Sequence, residues 1–188
     1  MRINKTLVAI FALMFIVASV YRVWDDRPLG FAPQIAIAIF AGAVVKDKRW
    51  AVLIPLLSMF LADLLFQVLF SLNLSVMAGF YEGQLLNYLL FGSMVVFGFM
   101  ARKFNWLKIA GAAIAAPTTY FIISNFLVWI GGGGYFRPKT WDGLMMCYAD
   151  ALPFYRGSLA ATFFFSAVFF GTYFLVQKMQ EAKKHKLA

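Results

Sequence analysis

The sequence predicts an all-α integral membrane protein: a six-transmembrane-helix bundle in one domain over residues 1–188, with both termini cytoplasmic. Three observations predict it. Hydrophobic residues make up 63% of the chain and charged residues 13%, where a soluble domain carries roughly 45–50% and about 25%. Six apolar windows are separated by charge clusters or turn residues, each read against the roughly 20 residues a spanning helix needs. Lys and Arg gather in alternate connections. A mean hydropathy of +0.78 over the whole chain leaves no polar stretch long enough for a separate soluble catalytic domain.

The first helix is expected at 7–24, an apolar run behind Arg2 and Lys5. That arrangement also describes a signal peptide, although the residues near Ser19 make a poor cleavage site, and an uncleaved helix is the preferred reading. The second, at 31–45, is the weakest because it is only 15 residues long. Pro33 suits its first turn, where the missing N–H would go unpaired anyway, and a tilted or partly buried helix is expected. The third, at 50–72, and the fifth, at 106–130, hold Pro55 and Pro117, each of which removes a backbone bond and favours a kink. The fourth is expected at 84–100, starting at Gln84 and ending before Arg102. Gly131 to Gly134 then open the longest connection, 131–157. Within it Trp141, Leu144, Tyr148 and Leu152 share one helical face, which predicts a short interfacial helix at 141–152. The sixth helix follows at 158–176, before a basic tail of Lys183, Lys184, His185 and Lys186 suited to anionic headgroups.

Cytoplasmic loops hold the excess of Lys and Arg. With the N-terminus inside, Arg2, Lys5, Lys46, Lys48, Arg49, Arg102, Lys103, Lys108, Lys178, Lys183, Lys184 and Lys186 fall on the cytoplasmic side, and Arg22, Arg27, Arg137, Lys139 and Arg156 on the other. The net charge of +9 is therefore read as topology and as contact with a lipid bilayer, with no nucleic-acid partner.

Polar side chains are costly inside a bilayer, so their depth is informative. Asp63 lies about 20 Å into the third helix at 1.5 Å per residue, past the midplane, with Gln67 and Ser71 on the same face. Gln84, Asn87 and Tyr88 share a face of the fourth helix. Thr118, Asn125 and Trp129 form a stripe on the fifth, beside Ser124, and Phe154, Tyr155 and Arg156 precede the sixth. All point to the outer half. A polar cluster from several helices at one depth, walled by aromatics, predicts a pocket open to the outside. The competing reading for each amide or hydroxyl is interhelical hydrogen bonding. Asp63 is more demanding, because a lone intramembrane carboxylate must pair, protonate or face water; Arg22 and Arg156 are candidate partners. The mixed cluster Arg22, Asp25, Asp26 and Arg27 reads as surface pairing. Small residues four apart, Ala38 with Gly42, Gly111 with Ala115 and Ala167 with Gly171, mark close-packing faces toward other helices or a partner.

Enzyme chemistry is not expected. The chain has one Cys, Cys147, and one His, His185, too few for haem, di-iron or zinc sites or an intramembrane Ser–His protease. It has no GxxxxGKS phosphate loop to drive transport with ATP. No cofactor or metal is expected.

The stretch Phe31-Ala32-Pro33-Gln34 through Ala38-Ile39-Phe40-Ala41-Gly42, followed by Pro55 and Asp63, resembles that of several substrate-binding S-components of energy-coupling-factor transporters, which import vitamins and related micronutrients. The resemblance covers about a third of the chain; length, helix number and topology extend it. It implies a membrane subunit that binds a small-molecule substrate, with Asp63, Gln67, Asn87, Tyr88, Asn125, Trp129, Tyr155 and Arg156 contributing to the pocket. It also implies a transmembrane coupling subunit and cytoplasmic ATPases as partners. The family's small-xxx-small coupling motif normally lies on the first helix, whereas here Ala9 is followed four positions later by Leu13, so Ala38 and Gly42 would have to serve instead. The sequence also looks similar to uncharacterised bacterial six-helix membrane proteins. The alternative functions are a scaffold resembling the rod-shape-determining six-helix proteins and an ion-coupled stand-alone carrier built around Asp63.

Overall fold

The computed structural model describes residues 5–24, 26–102 and 104–187, and side chains within 12–182 of that set. Arg2, Asp25, Lys103 and the side chains of Lys5, Ala9 and the Lys183–Lys186 tail lie outside the described residues. Those described form seven helices and no strand: α1 (Lys5–Arg22), α2 (Gln34–Val44), α3 (Lys48–Ser71), α4 (Gln84–Ser93), α5 (Val95–Met100), α6 (Trp106–Gly131) and α7 (Trp141–Leu187).

The shortest of the sequence's six windows is the centre of the molecule. In α2 every residue from Gln34 to Ala43 is buried, as expected of a helix that is apolar all round. It packs against α3, α4, α5, α6 and α7. Its small residues permit that crowding. A Cβ added to Gly42 would overlap the backbone of Val95 and Gly98, and one added to Gly98 would overlap the Ile39 carbonyl oxygen. Ala38 and Gly42 are therefore consumed inside the bundle rather than displayed toward a partner. The orphan carbonyls at the α2 C-terminus are met by Arg102, whose Nε donates to Gly42 O and Nη2 to Val45 O, each at 3.0 Å. Around Phe40 an aromatic core brings together Phe15, Phe169, Phe170 and Tyr173 at centroid separations of 5.2 to 6.4 Å.

Local chemistry sets the other helix ends. Asp47 Oδ1 accepts from Arg49 N, and Asn105 Oδ1 from Leu107 N, both at 2.8 Å, capping α3 and α6. Gly132 ends α6 in the left-handed region at φ 75°, where glycine alone is unstrained. Both α3 and α6 run through their internal prolines.

Two expectations need correction. The helix expected at 84–100 is broken at Met94, where the ladder tightens to Met94 N donating to Phe91 O and Phe97 N to Met94 O. Ser93 Oγ takes the Leu90 carbonyl at 2.6 Å, a side-chain bond that competes with the helix. The interfacial helix at 141–152 and the sixth helix at 158–176 are one 47-residue helix, α7, with Pro153 inside it. A proline costs a helix one backbone bond and some straightness, and the apolar segment beyond it carries the helix on. Among the described residues, three helices are long and apolar enough to cross a membrane: Lys48–Ser71, Trp106–Gly131 and Trp141–Ala182. At 11 residues α2 is about 16 Å long, roughly half the bilayer's apolar thickness.

Candidate functional site

The charged residue that the sequence placed deepest is the hub of a polar network joining α1, α3 and α4. Asp63 is 2% exposed. Its Oδ1 accepts from Arg22 Nη1 at 2.8 Å, and its Oδ2 accepts from Gln84 Nε2 at 2.8 Å and Tyr88 Oη at 2.6 Å. A buried carboxylate is tolerated when paired and hydrogen-bonded on its remaining lone pairs, and here all three donors converge. Arg22 ends α1 and also has its guanidinium 5.9 Å from the Phe66 ring centroid. One turn earlier in α1, Ser19 Oγ meets Ser58 Oγ at 2.8 Å, pinning α1 to α3 beside the pair. Gln84 Nε2 also donates to Gly79 O, and Gln67 Oε1 accepts from Gly79 N. The 75–82 loop is thereby folded back on α3. Gly79 is required there, since a Cβ would overlap Asp63 O and Gln67 N.

Beside this network lies a cavity of about 620 Å³ at the end of the bundle where α1 and α6 finish and α2 begins. The 24–32 segment and the start of α2 form one side, α4 and α6 a second, and α7 from Cys147 to Ser158 a third. Its wall is largely aromatic. Phe91 and Tyr120 are paired at 4.5 Å, and Phe121 and Tyr155 at 4.7 Å. Polar groups punctuate it. Asn87 accepts from Tyr120 Oη at 2.8 Å and donates to Tyr81 Oη at 2.6 Å. Asn125 Nδ2 donates to Phe121 O at 2.7 Å, and the Tyr155 hydroxyl is 2.9 Å from Thr118 Oγ1. Arg22, Arg27, Gln34, Ser124, Asp150 and Ser158 add further polar groups to the lining.

The loop past the four glycines is tied down at the cavity, whose lining includes Gly134, Tyr135 and Asp150. Arg137 makes a two-pronged contact with Asp150, Nε to Oδ2 at 2.8 Å and Nη2 to Oδ1 at 3.0 Å. That carboxylate raises the guanidinium's already high pKa further. Lys139 Nζ donates to Trp129 O, and Trp129 Nε1 donates to Pro138 O at 2.9 Å.

Of the eight residues the sequence singled out, the structure brings Asn87, Asn125 and Tyr155 to the cavity wall. Asp63 and Tyr88 stand one layer behind it, connected to the wall through Arg22. Gln67 and Trp129 hold loops, and Arg156 is exposed outside the lining. Of the two candidate partners for Asp63, Arg22 is the one in contact.

Sequence reasoning missed Gln34. It begins α2, is 3% exposed and lines the cavity, and neither Nε2 nor Oε1 has a hydrogen-bond partner. Leaving each such group unmet costs about 1–3 kcal/mol. The available signal was a lone amide opening an otherwise apolar helix. Among the described residues no group of three or more His, Cys, Asp or Glu side chains is arranged to hold a metal ion.

The described residues define an all-helical protein with a half-open cavity at one end of its bundle. The chain belongs to a family of unknown function, DUF6580, whose profile matches residues 2–184. No curated protein and no solved structure matches it.

Proposed function

We propose that this protein is an integral component of the cell membrane that binds a small molecule in the cavity between α2, α4, α6 and α7, as the substrate-binding subunit of an importer for a vitamin or similar micronutrient. The observation that carries the reading is the cavity itself. Its volume of about 620 Å³ falls within the roughly 300–1,000 Å³ typical of ligand sites, and its aromatic wall carries a few well-placed polar groups.

Membrane residence is supported by the surface. Along α3 the exposed residues Leu53, Leu57, Phe60, Leu64 and Val68 recur every three or four positions, an apolar stripe on the outside of a helix that already buries another face. In the proposed arrangement α1, α2 and α4–α5 complete a six-helix bundle with α3, α6 and α7. Both termini face the cytoplasm, following the distribution of Lys and Arg. Import would then need a separate membrane coupling subunit and ATPases. An ion-coupled carrier built on Asp63 is the weaker reading, because that carboxylate already accepts three hydrogen bonds. A scaffold reading draws on Gly111 of α6, where an added Cβ would meet nothing within 4 Å, leaving a small-residue face open to a partner helix.

A thermal-unfolding screen of detergent-purified protein against vitamins, nucleobases and their precursors tests the proposal. A true ligand at a thousandfold its Kd should stabilise the fold by about 4 kcal/mol. No shift across the panel, together with a membrane protein that co-purifies in stoichiometric amount, would transfer support to the scaffold.

A further inference from the structure

Resting on that reading, we propose that Gln34 is the ligand-reading residue of the cavity, and that its ligand is a planar heterocycle presenting a lactam-type edge, a ring N–H beside a ring C=O. A primary carboxamide offers donors on nitrogen and an acceptor on oxygen, side by side. In Gln34 both ends lack a partner although the residue is buried in the cavity wall. Buried polar groups are nearly always satisfied in folded proteins, so an amide orphaned at both ends beside a cavity marks what the cavity is built to receive. The complement of a carboxamide is another cis-amide edge, which accepts from Nε2 and donates to Oε1 in a single plane.

The rest of the wall narrows the class. Phe91, Tyr120, Phe121 and Tyr155 line the cavity with paired rings, surfaces that receive a flat aromatic ring by offset or edge contact. The charges nearby are committed. Arg22 is paired with Asp63, Asp150 with Arg137, and Arg27 Nε donates to the Arg22 carbonyl. A neutral edge therefore suits the buried end of the cavity better than an ionised one.

Lumazine, pterin and uracil are the probes, with 1,3-dimethyllumazine as the blocked control, since methylation at both ring nitrogens removes every N–H beside a C=O while keeping the ring. Binding to the detergent-purified full chain is read by calorimetry. Lumazine or pterin should bind, 1,3-dimethyllumazine at least about tenfold more weakly, because a site made for a hydrogen bond rejects an analogue lacking it. In Gln34→Met, which keeps side-chain length and loses both polar groups, lumazine should lose at least about the same factor. The melting temperature of the ligand-free variant should equal or exceed that of wild type, because the orphaned amide is gone. A lowered melting temperature would mean that the amide serves the fold and would overturn the proposal. Equal binding of lumazine and 1,3-dimethyllumazine, a comparison in wild type that needs no variant, would overturn it as well. Tight binding of a vitamin without a lactam edge, with none by the lactam probes, would sink the role of Gln34 and leave the cavity reading standing. Silence from every compound would overturn both.

Discussion

Arg22→Met should destabilise the protein by about 3 kcal/mol, because it strips the cation from a carboxylate that is 2% exposed and leaves that charge buried and uncompensated. Gln84 and Tyr88 still donate to Asp63, and Arg22 is itself 17% exposed, so the lower end of the range for breaking a buried pair applies. The diagnostic comparison is the double variant Arg22→Met with Asp63→Leu, which should recover most of the loss, since an apolar replacement of a whole buried pair is often neutral. Chemical denaturation in a defined detergent measures both. Equal stability of Arg22→Met and wild type would mean that the pair contributes nothing and that the Asp63 network does not hold α1, α3 and α4 together.

Gly98→Leu should have the other large effect. An added Cβ at Gly98 meets the carbonyl of Ile39 and the Cα of Gly42, which are backbone atoms that no rotamer change can move aside. Overpacking ordinarily costs about 1–3 kcal/mol, and a clash with helix backbone belongs at or above the top of that range. Gly111→Leu is the control: its added Cβ has open space, and stability should change by less than about 0.5 kcal/mol. Comparable losses in the two variants would contradict the central, enclosed position of α2.

Much of this architecture was legible in the sequence because apolar windows and charge clusters report helices directly. The spans expected at 50–72 and 106–130 differ by only a residue or two from α3 and α6. The break at Met94 was not legible, since it reflects a bond from Ser93 to the Leu90 carbonyl in a run that is apolar throughout. Nor was the continuity of α7. Pro153 and Gly157 look like punctuation, yet Gly157 sits inside the helix because the 29–31 segment crosses there and a Cβ would overlap the Leu29 carbonyl.

The site was half legible for a related reason. Depth along a helix identified Asn87, Asn125 and Tyr155, but depth says nothing about direction. Gln67 and Trp129 lie at similar depth and turn to bind loops instead. Gln34 was hidden because it opens the shortest window, where a polar first residue reads as an ordinary helix start. Arg22 was read both as part of a surface charge cluster and as a candidate partner of Asp63; its position one helical turn after Ser19 puts it on the face that meets α3, and the second reading holds.

The most direct test of the central claim is calorimetric titration of the strongest compound from the thermal screen into wild type and Asn125→Leu. The cavity account predicts one site per chain in wild type and at least about tenfold weaker binding in a variant that unfolds at nearly the same temperature. An unchanged Kd in Asn125→Leu would contradict it and put the ligand elsewhere on the protein.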